Sequence, residues 1–207
     1  MSRSPKKRGQ RTEGTRRQNR VILLVGDGES EKVYFDKLSD LCGSVSIKSV
    51  AAKVNGTKKI VEKTRSIAKQ FDISPSYGDI IAIVMDLDFR YSLNDIMEME
   101  EDCEERGFKL FISNPCFEVW LLSHFRLPTH PYDQKEILTD LERELGRTYN
   151  KSTGMDIDDA MVDNALMNAG KLLPECDCNP TACFQSNPST MVHSLVESIR
   201  GMTRGKS

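Results

Sequence analysis

No apolar run in this 207-residue chain approaches the roughly 20 residues that a membrane-spanning helix requires. No secretory leader is legible either, because the basic N-terminus is not followed by an apolar h-region. A cytoplasmic protein is therefore expected. The six cysteines (Cys42, Cys103, Cys116, Cys176, Cys178 and Cys183) show no common zinc spacing and no neighbouring histidine, so reduced thiols are expected rather than disulfides or a structural metal. There is no internal repeat. Nor does the chain contain a P-loop or a G-x-G-x-x-G helix opening, which argues against a nucleotide-binding or phosphotransfer domain.

What is there is enough for one sizeable domain, or for a domain with a small helical appendage. The net charge of −2 hides an asymmetry. Residues 1–20 hold eight Lys or Arg against Glu13 alone, and the remainder carries 21 basic and 30 acidic residues. Residues 1–19 thus read as a disordered basic tail, either attracted to polyphosphate or simply solubilising.

Val21 to Val25 is a short continuous apolar run ending at Gly26-Asp27-Gly28, as expected of a strand buried on both faces. A helix with Ser30 as a possible N-cap follows, then a strand over Val45 to Ala51 and a basic helix over Lys58 to Gln70 with Ile60, Val61, Thr64, Ile67 and Ala68 on one face. A third strand over Asp79 to Met85, an acidic helix over Leu93 to Arg106 and a fourth strand over Phe108 to Ile112 complete the alternation. Strand and helix alternating in this way predict an α/β domain over residues 20–125, with a mostly parallel sheet of about four strands. Residues 126–207 read as a helical C-terminal extension packed on it, with helices over Gln134 to Leu145, Asp158 to Leu172 and Met191 to Ile199, and a loop from Pro174 to Pro188.

Ligands of such sheets gather outside the carboxyl ends of the strands. Three strands end there in acids: Asp27 with Glu29 and Glu31, then Asp86 and Asp88, then Glu118. In an extended chain Asp86 and Asp88 point the same way, roughly 6.6 Å apart, which suits a hard divalent cation. They serve equally well as loop residues preceding the helix near Ser92. Glu118, one turn into a helix opening at Pro115 with Asn114 as its cap, is either a further site acid or an acid favoured by the helix dipole. His124 points about 120° away from Glu118 on a regular helix and shares a face with Phe117 and Trp120, so a packed histidine is expected.

A strand ending in an acid and Gly, followed by a later strand ending in Asp-x-Asp, resembles the TOPRIM domain of topoisomerases, primases and OLD-type nucleases. The segments Gly26-Asp27-Gly28-Glu29-Ser30-Glu31 with Tyr34-Phe35, Met85-Asp86-Leu87-Asp88, and Ser113-Asn114-Pro115-Cys116-Phe117-Glu118-Val119-Trp120 resemble the RloB family. So do Tyr149-Asn150-Lys151, Ala165 to Lys171, and Asn187 to His193. The resemblance covers about residues 20 to 200. It implies a TOPRIM-like (Rossmann-like) fold, a place in prokaryotic anti-phage and abortive-infection loci, and a Mg2+- or Mn2+-dependent nuclease acting on RNA or DNA. A catalytically degenerate TOPRIM-like subunit, nucleic-acid-binding or regulatory, that partners an ABC-type ATPase is the alternative. On this resemblance Asp27, Asp86 and Asp88 would hold the metal, with Glu31 and Glu118 as further catalytic candidates. Lys151 and Lys171 match family positions and would contact phosphate; Lys58 and Lys59 are expected to track nucleic acid from the basic character of their helix alone, which equally suits a solvated face. Nucleic acid, an ABC-type ATPase and a second copy of the chain are the partners in view, and a membrane is not. The family usually carries Glu where this chain has Asp27, and Asp is shorter by one methylene, about 1.5 Å. A site sensitive to errors near 1 Å feels that difference, and Glu29 or Glu31 are the acids available to compensate.

Overall fold

The structure is a computed structural model and describes residues 21–43, 45–174 and 178–204. The basic segment 1–19 and Cys176 lie outside the described residues. Strands β1 (Val21–Gly26), β2 (Ser46–Ala51), β3 (Ile80–Asp86) and β4 (Lys109–Asn114) are parallel, and a two-residue β5 (Ser189–Thr190) pairs antiparallel with β4. The order is β2-β1-β3-β4-β5. Eight helices are found among the described residues: α1 (Glu29–Cys42), α2 (Thr57–Gln70), α3 (Leu93–Glu105), α4 (Glu118–Ser123), α5 (Gln134–Leu145), α6 (Asp159–Leu172), α7 (Pro180–Gln185) and α8 (Val192–Arg204). The architecture is α/β and Rossmann-like, as expected from the alternation of strand and helix.

The apolar runs explain the centre of the sheet. Ile22 to Val25 and Ile81 to Met85 are all buried, because helices cover both faces of a parallel sheet. Helices α2, α3 and α7 pack along one face; α1, α4, α6 and α8 lie on the other. Local sequence fixes several helix ends. Ser92 and Asp95 form a reciprocal capping box on α3, Asp133 and Glu136 do the same on α5, and Gly146 ends α5 in the left-handed conformation. Buried Asp79 ties the entry of the sheet together by accepting from the amides of Val21 (3.0 Å) and Ser74 (3.1 Å).

Four local expectations change. The sheet gains β5, which two residues cannot announce by periodicity. Part of the expected Pro174 to Pro188 loop folds as α7, capped by Asn179 with Pro180 in the first turn. Asn114 does not cap a helix: it remains paired in β4, its side chain donates to the carbonyls of Cys183 and Phe184, and α4 begins only after Phe117. Ser30 is likewise not the cap of α1, which starts after Gly28 without a side-chain cap. Among the described residues no helix is long and apolar enough to cross a membrane.

Candidate active site

The sheet order reverses between β1 and β3: the chain leaves β1 toward β2 on one side, while β3 and β4 continue on the other. Loops diverge at such a switch point and leave a crevice at the carboxyl edge. There the molecule has a polar cleft of about 230 Å3, lined by Asp27, Gly28, Glu29, Ser30, Glu31, Asn55, Asp86, Asp88, Arg90, Gln134 and Lys151. A larger groove of about 500 Å3 runs between α2 and α3. It carries none of the strand-end groups, so the smaller cleft is the chemically equipped one.

Glycine shapes its floor. A Cβ at Gly26 would sit 2.7 Å from the Cβ of Glu31, and one at Gly28 would sit 3.3 Å from Glu31 Oε2. The bare backbone of this loop therefore lets the first turn of α1 lay Glu31 across it. Burial foremost, together with the nearby negative charges of Glu118 and Asp27, pushes the Glu31 carboxyl up to about 7, against the pull of backbone amides. Glu29, by contrast, turns outward to Lys53. Of the two acids available to make up for Asp27, the fold brings Glu31 into the interior.

Asp86 ends β3, paired in register with Ser113. Its carboxylate accepts the amide of Phe117 at 2.7 Å and so anchors the start of α4. Burial, then the charges of Glu31, Glu118 and Asp88, holds its carboxyl well above the ordinary carboxylate range. Asp88 reaches the same cleft by a route the alternation rule does not describe. The strand stops at Asp86; Asp88 and Phe89 then adopt φ of +46° and +55°, and the Arg90 amide returns to the Leu87 carbonyl at 2.9 Å. Positive φ at both central residues is the mark of a tight type I′ turn. Aspartate tolerates it, whereas phenylalanine takes it at a cost on the order of 1–2 kcal/mol. The turn is held to the neighbouring strand edge by the amides of Leu87 and Asp88, which donate to Ser113 (3.0 Å) and Pro115 (2.9 Å) carbonyls.

Two cations stand among these acids. Arg90 Nη2 is 2.9 Å from Asp88 Oδ2 and 3.3 Å from Asp27 Oδ2. Lys151 Nζ is 3.1 Å from Glu118 Oε1, which also accepts from the Ser30 hydroxyl at 3.2 Å. Burial disfavours the Lys151 ammonium, yet Glu118, with Asp86 and Glu31 beyond it, holds it above its ordinary range. Asp88 is raised, by burial first and then by Glu118 and Asp27, against Arg90 and Lys151.

Glu31 Oε1, Asp88 Oδ1 and Glu118 Oε2 are buried and have no hydrogen-bond partner. A buried carboxylate oxygen left in this way is costly and calls for a proton, a water or a cation. Among the described residues no group of three or more His, Cys, Asp or Glu side chains is arranged to hold a metal ion. Mg2+ asks for less, taking one or two carboxylates and completing its octahedron with water and phosphate oxygens. Asp86 and Asp88, with Asp27 beside them, fit that demand in donor type.

Of the other residues singled out in the sequence, Lys58 lines the α2–α3 groove, its ammonium 3.7 Å from Glu98, and Lys59 and Lys171 are exposed and do not line the cleft. His124 is packed, as expected: its ring lies 3.2 Å from the Tyr34 hydroxyl and 3.0 Å from the Trp120 carbonyl, and burial lowers it to about 4. Arg90 escaped notice in the sequence because its bridge joins Asp88, two residues away through an unsignalled turn, to Asp27, 63 residues away. Asn55 and Gln134, on separate loop and helix termini, gave no local signal either.

Residues 22–199 match the family model of RloB-like proteins. The chain belongs to the RloB family. The RloB match runs from β1 into α8, so it takes in every element that lines the cleft. No curated protein and no solved structure matches the chain.

Proposed function

We propose that the chain is a divalent-metal-dependent nuclease of the TOPRIM type, acting on RNA or DNA as an effector of prokaryotic phage defence. The observation that carries this reading is the set of buried, partly unpartnered carboxylates beside a cleft at the sheet's switch point, supplied by α1, the turn after β3 and α4. Arg90 and Lys151 each pair with oxygens of these acids, yet Glu31 Oε1, Asp88 Oδ1 and Glu118 Oε2 still lack a partner, which a bound cation would help to supply.

A divalent ion held by Asp86 and Asp88, with Asp27 beside them, supplies charge neutralisation of the scissile phosphate and a lowered pKa for an attacking water. Glu31 is matched to proton transfer near neutrality, because an effective acid or base has a pKa close to the working pH. Glu118 holds Lys151 in place, and Lys151 and Arg90 offer positive charge to the phosphate backbone. The family resemblance adds an ABC-type ATPase as partner.

One observation favours a second reading. Arg90 already bridges Asp27 and Asp88 from within the chain, as a silent, nucleic-acid-binding regulatory subunit would do. Incubating the full chain with total RNA, plasmid and single-stranded DNA in Mg2+ or Mn2+ separates the two. The control is the double variant Asp86→Asn, Asp88→Asn, since Asn tolerates the left-handed backbone at 88 and can still accept the Phe117 amide. Cleavage by the native chain alone supports the nuclease. Equal cleavage by both, or none in any condition including with the ATPase, refutes it.

A further inference from the structure

Four large apolar side chains are exposed among the described residues, and Phe89 is the most exposed of them at 70 %. A single exposed apolar residue is ordinary. Phe89 is not ordinary in its backbone or its place. Its φ is +55°, a conformation that a bulky side chain rarely takes and that tends to be kept where it serves a site. Its neighbours on either side, Asp88 and Arg90, both line the carboxylate cleft. Backbone bonds at Leu87, Asp88 and Arg90 hold the turn, so an exposed ring is carried on a fixed backbone between two residues that line the cleft.

An exposed aromatic face beside cations that suit phosphate is the equipment of a nucleotide-binding surface. We propose that Phe89 is a stacking platform for a nucleobase adjoining the phosphate in the cleft, so that the site takes single-stranded nucleic acid in preference to duplex. Bases inside a duplex already stack on one another and present no free face. Arg90, one residue on, and Lys151 both line the cleft and are the cations available to a phosphate there. This inference rests on the reading of the cleft as a nucleic-acid site.

The test is fluorescence anisotropy of labelled oligoadenylate RNA and DNA, the matched duplexes and an abasic oligomer, in calcium and separately in EDTA. Phe89→Asn removes the ring but keeps a residue that accepts left-handed backbone. Its affinity for the single strands is expected to fall about tenfold, with the abasic oligomer unaffected. Phe89→Trp should restore binding. The indole it introduces should be quenched by the bound strand, against a native background of Trp120 alone, which is buried. The inference is overturned if Phe89→Asn binds single strands as the native chain does, if it loses the same factor on the abasic oligomer, or if the native chain binds no single strand or prefers duplex. Stacking without any cleavage would remove only the nuclease reading; cleavage without stacking would remove only the platform.

Discussion

Glu31→Gln is the perturbation for which the structure yields a magnitude. In the unfolded chain the carboxyl titrates near its ordinary 4.5, and in the fold it titrates at about 7, a difference worth roughly 3 kcal/mol. Below the lower value both states are protonated and the fold bears no penalty. As pH rises between the two, the unfolded state releases its proton while the fold keeps it, so stability is lost progressively and the loss is complete once pH passes the folded value. Glutamine has nothing to release and its amide fits the same volume. Urea unfolding near pH 5 and near pH 8, in EDTA, should therefore show the native chain losing roughly 2 to 3 kcal/mol more than Glu31→Gln. That corresponds to a relative shift of about 1 M in midpoint. Asp86 is raised by the same causes and adds a decline in the same direction. Equal pH slopes in the two proteins would refute the placement of Glu31 as a buried acid among like charges.

Asp86→Ala should destabilise the fold by about 1–3 kcal/mol, because the buried Phe117 amide loses its acceptor, while Asp86→Asn should cost much less; thermal unfolding of both variants checks this. Gly26→Ala should cost about 1–3 kcal/mol, since the new methyl meets the Cβ of Glu31 rather than a yielding side-chain end, and a denaturant midpoint reads it. Lys151→Met should be destabilising because buried Glu118 loses its cation, and Glu118→Gln in the same chain should recover most of the loss, which a double-mutant cycle measures. The His124 ring should stay neutral down to about pH 4, as followed by its imidazole proton resonances.

The sheet was legible because Val21 to Val25 and Ile80 to Met85 are apolar without a break, a pattern that only strands covered on both faces need. The helices with strong periodicity or a clear cap, α2, α5 and α6, were legible for similar local reasons. The acids of the site could be listed from the strand ends, but their geometry could not be read off. Asp86 and Asp88 meet in one cleft although the chain leaves the extended conformation between them, through a turn whose Phe89 carries no turn signal. The pairing of Asp27 with Arg90, and of Glu118 with Lys151, depends on contacts across the fold that no spacing encodes. Ser30 shows the same limit: its hydroxyl satisfies Glu118, 88 residues away, instead of its own helix.

The carboxylate cleft as a divalent-metal site is tested most directly by anomalous diffraction from crystals soaked in Mn2+. The predicted result is an anomalous peak within coordination distance of Asp86 and Asp88, with the Arg90 guanidinium displaced from Asp88, and no peak in the Asp86→Asn, Asp88→Asn protein. An empty cleft at saturating Mn2+, with Arg90 still bridging Asp27 and Asp88, would contradict it.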